Sequence, residues 1–140
     1  MAMTIHVDIV SAEKEVYSGL VEMVFAPAEM GDVGIAPRHA PFITKLKAGE
    51  VRVKISDKES YEFYVSGGLL EVQPHLVTVL ADTAIRARDI DEAAAIEAKL
   101  RAEEMLEDKS GEYDYALAEA ELADAIMQLK MLERVRKRGS

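Results

Sequence analysis

The chain has 140 residues with 17 basic and 26 acidic side chains, and its net charge of -9 would repel a phosphate backbone, which argues against nucleic acid as a main partner. Hydrophobic residues at 49% and charged residues at 31% describe a chain that folds, too short for a large self-sufficient enzyme. The lack of cysteine excludes disulfides, thiolate metal sites and thiol nucleophiles together.

The start, Met1 to His6, has neither a basic region nor an apolar stretch, and nowhere do about 18 apolar residues run together, so a soluble chain without a signal peptide is expected. Composition changes near residue 84. All four prolines and six of the eight glycines precede it, whereas residues 85–140 hold eleven alanines and 24 charged residues. In the first part Ile5, Val7 and Ile9 alternate with polar residues, and so do Val51, Val53 and Ile55, the period of half-buried strands. Residues 20–26, 42–46, 61–66, 68–72 and 76–81 are further β-rich runs between Gly, Pro and Ser-Asp signals. Seven or eight short strands point to a small sandwich or barrel. Gly31-Asp32-Val33-Gly34 reads as a tight turn exposing Asp32, and Ser66-Gly67-Gly68 as a hairpin turn.

The second part is helical in pattern. Asp89 with Glu92 three positions on forms a capping box, opening a helix over residues 90–108. Ser110-Gly111 breaks it and Asp114 caps a second helix, in which Leu122, Ile126, Leu129 and Leu132 share a face and which ends near Lys137. The two make an antiparallel hairpin whose alanine-rich faces approach closely but bury little area, so it is marginal alone and needs a docking surface.

Candidate chemistry is sparse. His6, His39 and His75 are dispersed, with no second histidine four residues on to complete a metal set, and are read as structural or solvated. The segment Pro37-Arg38-His39-Ala40-Pro41 is the exception, because two prolines stiffen a loop that presents Arg38 and His39, as a binding loop would. No Gly-x-Ser-x-Gly occurs, and the Gly31 to Gly34 loop lacks the Lys-Ser/Thr of a phosphate loop. Arg134, Arg136, Lys137 and Arg138 concentrate positive charge at the end of an acidic protein, which suits the helix C-terminus and would also steer it to an acidic partner.

The stretches Val10-Ser11-Ala12-Glu13, Ser18-Gly19-Leu20-Val21-Glu22, Gly34-Ile35-Ala36-Pro37-Arg38-His39-Ala40-Pro41 and Ser66-Gly67-Gly68-Leu69-Leu70-Glu71-Val72-Gln73-Pro74 resemble the epsilon subunit of bacterial F-type ATP synthases. The likeness continues through residues 77–84 and Asp91-Glu92-Ala93, so it spans essentially the whole chain in order. It implies an α+β protein, an N-terminal antiparallel β-sandwich of about ten strands followed by a C-terminal antiparallel two-helix hairpin. The domains expected are residues 1–84 and 91–140, joined by a linker at 85–90. The family's role is that of a noncatalytic rotor subunit: the sandwich binds the gamma subunit and stands on the c-ring, coupling proton translocation to ATP synthesis. Peripheral placement at the cytoplasmic face of the bacterial inner membrane then comes through partners alone.

By position the resemblance puts Asp32, within residues 29–33, in the c-ring contact loop, and Arg38 and His39 in another lower loop. Ser11 and Thr44 fall in segments near gamma and the ring. It further implies that the hairpin changes between a compact form and an extended one that enters the catalytic alpha/beta head and blocks ATP hydrolysis. Leu122, Ile126 and Leu129 then trade partners, and Arg134, Arg136, Lys137 and Arg138 meet an acidic stretch of the head. Some members bind ATP through a motif of Ile or Leu, Asp, two variable residues, Arg and Ala. Here the run is Ile90-Asp91-Glu92-Ala93-Ala94-Ala95, and Ala94 stands where the motif has arginine, so weak ATP binding or none is expected, with no other cofactor. A free-standing adaptor with a β module and a helical hairpin would show the same periodicities.

Overall fold

The computed structural model describes residues 3–108 and 114–139, and the chain forms two compact units, residues 1–88 and 89–140. The first contains strands β1 (Ile5–Ser11), β2 (Glu15–Val21), β3 (Met23–Ala28), β4 (Gly31–Ile35), β5 (Phe42–Leu46), β6 (Gly49–Ser56), β7 (Glu59–Val65), β8 (Gly68–Val72), β9 (Leu76–Ala81) and β10 (Ala84–Arg86). A one-turn 3-10 helix, Ala87–Asp89, follows. The strands form one sheet in the order β10-β7-β6-β3-β5-β8-β9-β1-β2, with β4 paired to β3 beside this path.

Alternation does most of the work. Ile5, Val7 and Ile9 of β1 face inward with Val77 and Val79 of β9, Leu70 and Val72 of β8, Val51 and Val53 of β6 and Phe63 and Val65 of β7, all buried in one cluster. Each such side chain contributes about 1.5–3 kcal/mol of burial free energy. The ends of the strand order approach each other. Tyr17 on β2 packs against Tyr61 and Phe63 on β7, with ring centroids 5.8 and 5.7 Å apart, and the Arg86 guanidinium on β10 lies 3.8 Å from the Tyr61 ring centroid. The sheet is thus curled into a nearly closed barrel-like sandwich.

Four expectations about the β unit need correction. The sheet is mixed rather than antiparallel, because β1 pairs parallel with β9, from His6 opposite Leu76 to Ser11 opposite Ala81. A period of two fixes which face is buried but not strand direction. The run 20–26 is two strands: Val21 pairs with Ile5, then the Glu22 amide donates to the Lys54 carbonyl at 2.7 Å and Met23 pairs with Lys54. Residues 31–34 are not a turn but most of β4, with Val24 opposite Ile35 and Ala28 opposite Gly31. Ser66 and Gly67 are not a hairpin turn, since β7 pairs with β6 and β10 while β8 pairs with β5 and β9. They are a crossover, and the glycines serve its close approach: at Gly68, with φ of +146°, an added Cβ would lie 2.0 Å from the Leu80 carbonyl oxygen.

The second unit contains α1 (Glu92–Glu107) and α2 (Tyr115–Gly139), packed on each other. Asp91, not Asp89, caps α1, accepting from the Ala94 amide at 3.1 Å; Asp89 belongs to the preceding 3-10 turn. Segment 85–90, read as a linker, therefore contains the end of β10 and this turn. Asp114 caps α2 as expected, accepting from the Leu117 amide at 3.2 Å. The expected break at Ser110-Gly111 lies outside the described residues. Ala95 and Ala102 of α1 and Ala118, Ala125 and Met131 of α2 are buried. Small residues every seven positions let the helix backbones approach closely, and half-buried Leu122, Leu129 and Leu132 continue the α2 seam.

Candidate functional site

The β3–β4 hairpin ends in Glu29 and Met30, and Met30 is 96% exposed. It is held to β5 and the residue that follows by two backbone bonds of 2.9 Å, Glu29 amide to Lys45 carbonyl and Lys47 amide to Pro27 carbonyl. Asp32 stands opposite Pro27 on β4 with its carboxylate in solvent. The hairpin thus offers a rigid protrusion carrying a thioether and two carboxylates, suited to docking rather than to chemistry.

The loop over residues 36–41 is fastened where β8 passes to β9. The Arg38 amide donates to the Pro74 carbonyl at 3.0 Å, with Arg38 in the left-handed region at φ of +64°, and the His39 amide donates to Ala36 at 3.2 Å. His39 Nδ1 lies 2.7 Å from the Ala40 carbonyl, which makes Nδ1 the donor, and the ring packs 5.4 Å from Phe42. The Arg38 backbone is fixed while its side chain is exposed, and the half-buried His39 ring is held by the Ala40 carbonyl and Phe42.

The other two interface residues lie elsewhere. Ser11, Ala81, Gly68, Leu46 and Ala28 form one row across five strands. Val7, Val77, Val72 and Phe42 form another at the Arg38 end, four residues along β1, or about 13 Å at strand rise. Ser11, whose hydroxyl lies in the turn with Lys14, is therefore at the opposite end of these strands from Arg38 and His39. Asp32 sits toward the Ser11 end, through the bond between Pro27 and Lys47. Thr44 lies in the row of Leu70, Val79 and Ile9, so its side chain is half-buried on the core-facing side, and the hydroxyl reaches its neighbour's carbonyl, that of Lys45, at 3.5 Å. The five residues do not form one patch.

One polar cluster escaped sequence reasoning. On the outer face of β1 and β2, the Ser18 hydroxyl donates to Asp8 Oδ1 at 2.7 Å, and His6 Nε2 lies 2.8 Å from that oxygen and 2.9 Å from the hydroxyl. The Ser18 bond, then the bond and charge of His6, hold the Asp8 carboxyl below its usual range against a partial burial that opposes them. The hydroxyl donates to the Asp8 carboxylate rather than to the His6 imidazole, unlike the serine–histidine pair of a nucleophilic site. Alternation places His6 and Asp8 on one face, but Ser18 joins them only once the β1–β2 register is known.

In the helical unit Ile90 is half-buried, and the Asp91 carboxylate is engaged by the Ala94 amide. Of the basic tip, Arg136 is not presented outward alone: its guanidinium makes a two-pronged contact with Glu92, Nη1 to Oε1 at 3.0 Å and Nη2 to Oε2 at 2.5 Å. This holds Glu92 below and Arg136 above their ordinary pKa values. Lys137 pairs with Glu133 at 3.4 Å, Arg134 and Arg138 are exposed, and Leu122, Ile126 and Leu129 are half-buried. Among the described residues no group of three or more His, Asp or Glu side chains is placed to hold a metal ion, and no helix is long and apolar enough to cross a membrane.

Residues 4–87 match the family described as ATP synthase, Delta/Epsilon chain, beta-sandwich domain, and residues 88–133 match its long alpha-helix domain. The ATP synthase epsilon chain of Nitrosococcus oceani is 68% identical over 138 residues, covering 99% of both chains. Epsilon chain 1 of Methylococcus capsulatus is 64% identical, covering 98% of both. Among solved structures, a chain of the Euglena gracilis mitochondrial ATP synthase is similar over 98% of this chain and 82% of its own, with a TM-score of 0.70 at 15% identity. A chain of the Tetrahymena thermophila central stalk and c-ring assembly gives 0.60 at 12% identity, over 93% and 97%.

Proposed function

The chain belongs to the ATP synthase delta/epsilon family, and we propose that its β unit grips the rotor while its helical hairpin restrains ATP hydrolysis. It is a noncatalytic central-stalk subunit of the rotary ATP synthase, with the gamma subunit, the c-ring and the catalytic head as partners. The observation that carries this reading is the pair of family matches, which follow each other along the chain and divide it within a residue or two of the boundary between its two compact units.

The interface assignments extend that reading. The protruding hairpin with Met30 and Asp32 is assigned to the c-ring and Ser11 and Thr44 to the neighbourhood of gamma and the ring, whereas the loop with Arg38 and His39, expected beside Asp32, lies at the other end of the strands and is assigned to a separate contact. Their dispersal over both ends of the strands suits a clamp that touches two partners at once. Membrane association comes through the complex, at the cytoplasmic face of the inner membrane. Leu122, Ile126 and Leu129 are half-buried in a seam built on alanines, so exchanging their partners costs less than opening a large core. Arg134, Arg136, Lys137 and Arg138 then engage an acidic surface of the head. ATP is expected to bind this chain weakly or not at all. Ala94 supplies no charged donor and the Asp91 carboxylate is already used as a helix cap, so Ile90 and Asp91 carry only the outline of the nucleotide motif.

The test is ATP hydrolysis by the catalytic complex reconstituted with the full chain or with one ending at Arg88. The shorter chain should bind gamma equally and raise turnover. Equal turnover with binding intact would remove the inhibitory role and leave the coupling role standing.

A further inference from the structure

The basic end of α2 is drawn to an acidic group of its own chain. Glu92 is the first residue of α1 and Arg136 lies in the last turn of α2, 44 residues later, yet both guanidinium prongs meet both carboxylate oxygens. This is the fork-to-fork geometry that only arginine can provide, and lysine would offer a single point charge. Each partner also sits at the helix end that suits its charge, an anion at an N-terminus and a cation at a C-terminus. At the other end of the hairpin the Tyr115 hydroxyl donates to the Asp108 carbonyl. Both ends of a seam made largely of alanine are therefore fastened by polar contacts.

We infer that Glu92 and Arg136 form a salt-sensitive clasp across the open end of the hairpin, in which Glu92 occupies the site on Arg136 that an acidic partner surface would take. Both groups are exposed, with side chains 41% and 63% accessible, so the clasp is weak enough for a cluster of partner carboxylates to displace and is screened by salt. Only the identity of the displacing surface rests on the regulatory reading above; the clasp itself is a property of the hairpin.

The test is amide hydrogen exchange in the isolated full-length chain. In about 0.05 M salt, Glu92→Gln should speed exchange in the last two turns of α2 roughly two- to five-fold, and Arg136→Gln should do the same in the first turns of α1. A merely local role would loosen only the helix that carries the substitution. The double variant should exchange no faster at either end than the matching single, Arg136→Lys should fall between wild type and Arg136→Gln, and about 0.5 M salt should bring the wild type to the level of the variants. Effects confined to the substituted helix, or additive effects in the double variant, would overturn the clasp. Because this reads the free subunit, it fails or stands independently of the hydrolysis experiment.

Discussion

Gly68 shows how much one missing Cβ decides. Its backbone lies at φ of +146°, and a side chain there would collide with the Leu80 carbonyl and the Ala81 Cα of the paired strand. Gly68→Ala is expected to cost about 3 kcal/mol or more, from strain plus displacement of β9, and would appear as a lower midpoint in denaturant unfolding. An unchanged midpoint would mean that β9 yields freely. The sequence marks this position as special, since two adjacent glycines announce an unusual backbone. It does not say that the chain leaves one strand neighbourhood for another there, because turn chemistry is local and pairing is not. Ser18 makes the same point: nothing near it in sequence suggests that its proton goes to Asp8.

At the scale of elements, the hairpin rests on small residues. Ala102 is fully buried, so Ala102→Leu would force α1 and α2 apart and cost about 1–3 kcal/mol of overpacking, read as a loss of helical circular dichroism at a lower temperature than in wild type. Helix propensity and the Asp114 cap make both helices legible, while the start of α1 is displaced because two aspartates two residues apart, Asp89 and Asp91, both qualify as caps by type. Strands with strict alternation, such as β1 and β6, were equally legible. By contrast β4 was hidden, since glycine at 31 and 34 reads as a turn and only pairing with β3 makes an edge strand of it. The candidate contact residues could be named one by one from the family likeness. Their separation into two ends of the strands, and the inward-facing row of Thr44, follow only from register.

For the molecule as a whole, the buried apolar cluster of the β unit is drawn entirely from residues between Ile5 and Ala81, with Ala84 packed against it. A chain ending at Arg88 therefore keeps its core intact and is expected to unfold in a single cooperative transition by calorimetry. A broad, non-cooperative melt would mean that the helices supply part of that core. The parallel pairing of β1 with β9 has a further consequence during synthesis. His6 meets Leu76, so the first strand waits for a neighbour made 70 residues later. At about 10 residues per second the ribosome needs roughly 7 s to supply it. Until then the hydrophobic face of β1 has only β2 beside it, and a lone two-stranded hairpin is marginal in water. The β unit thus combines many non-local pairings with a late partner for its first strand, and its nascent N-terminal strands are a segment in need of a chaperone's cover.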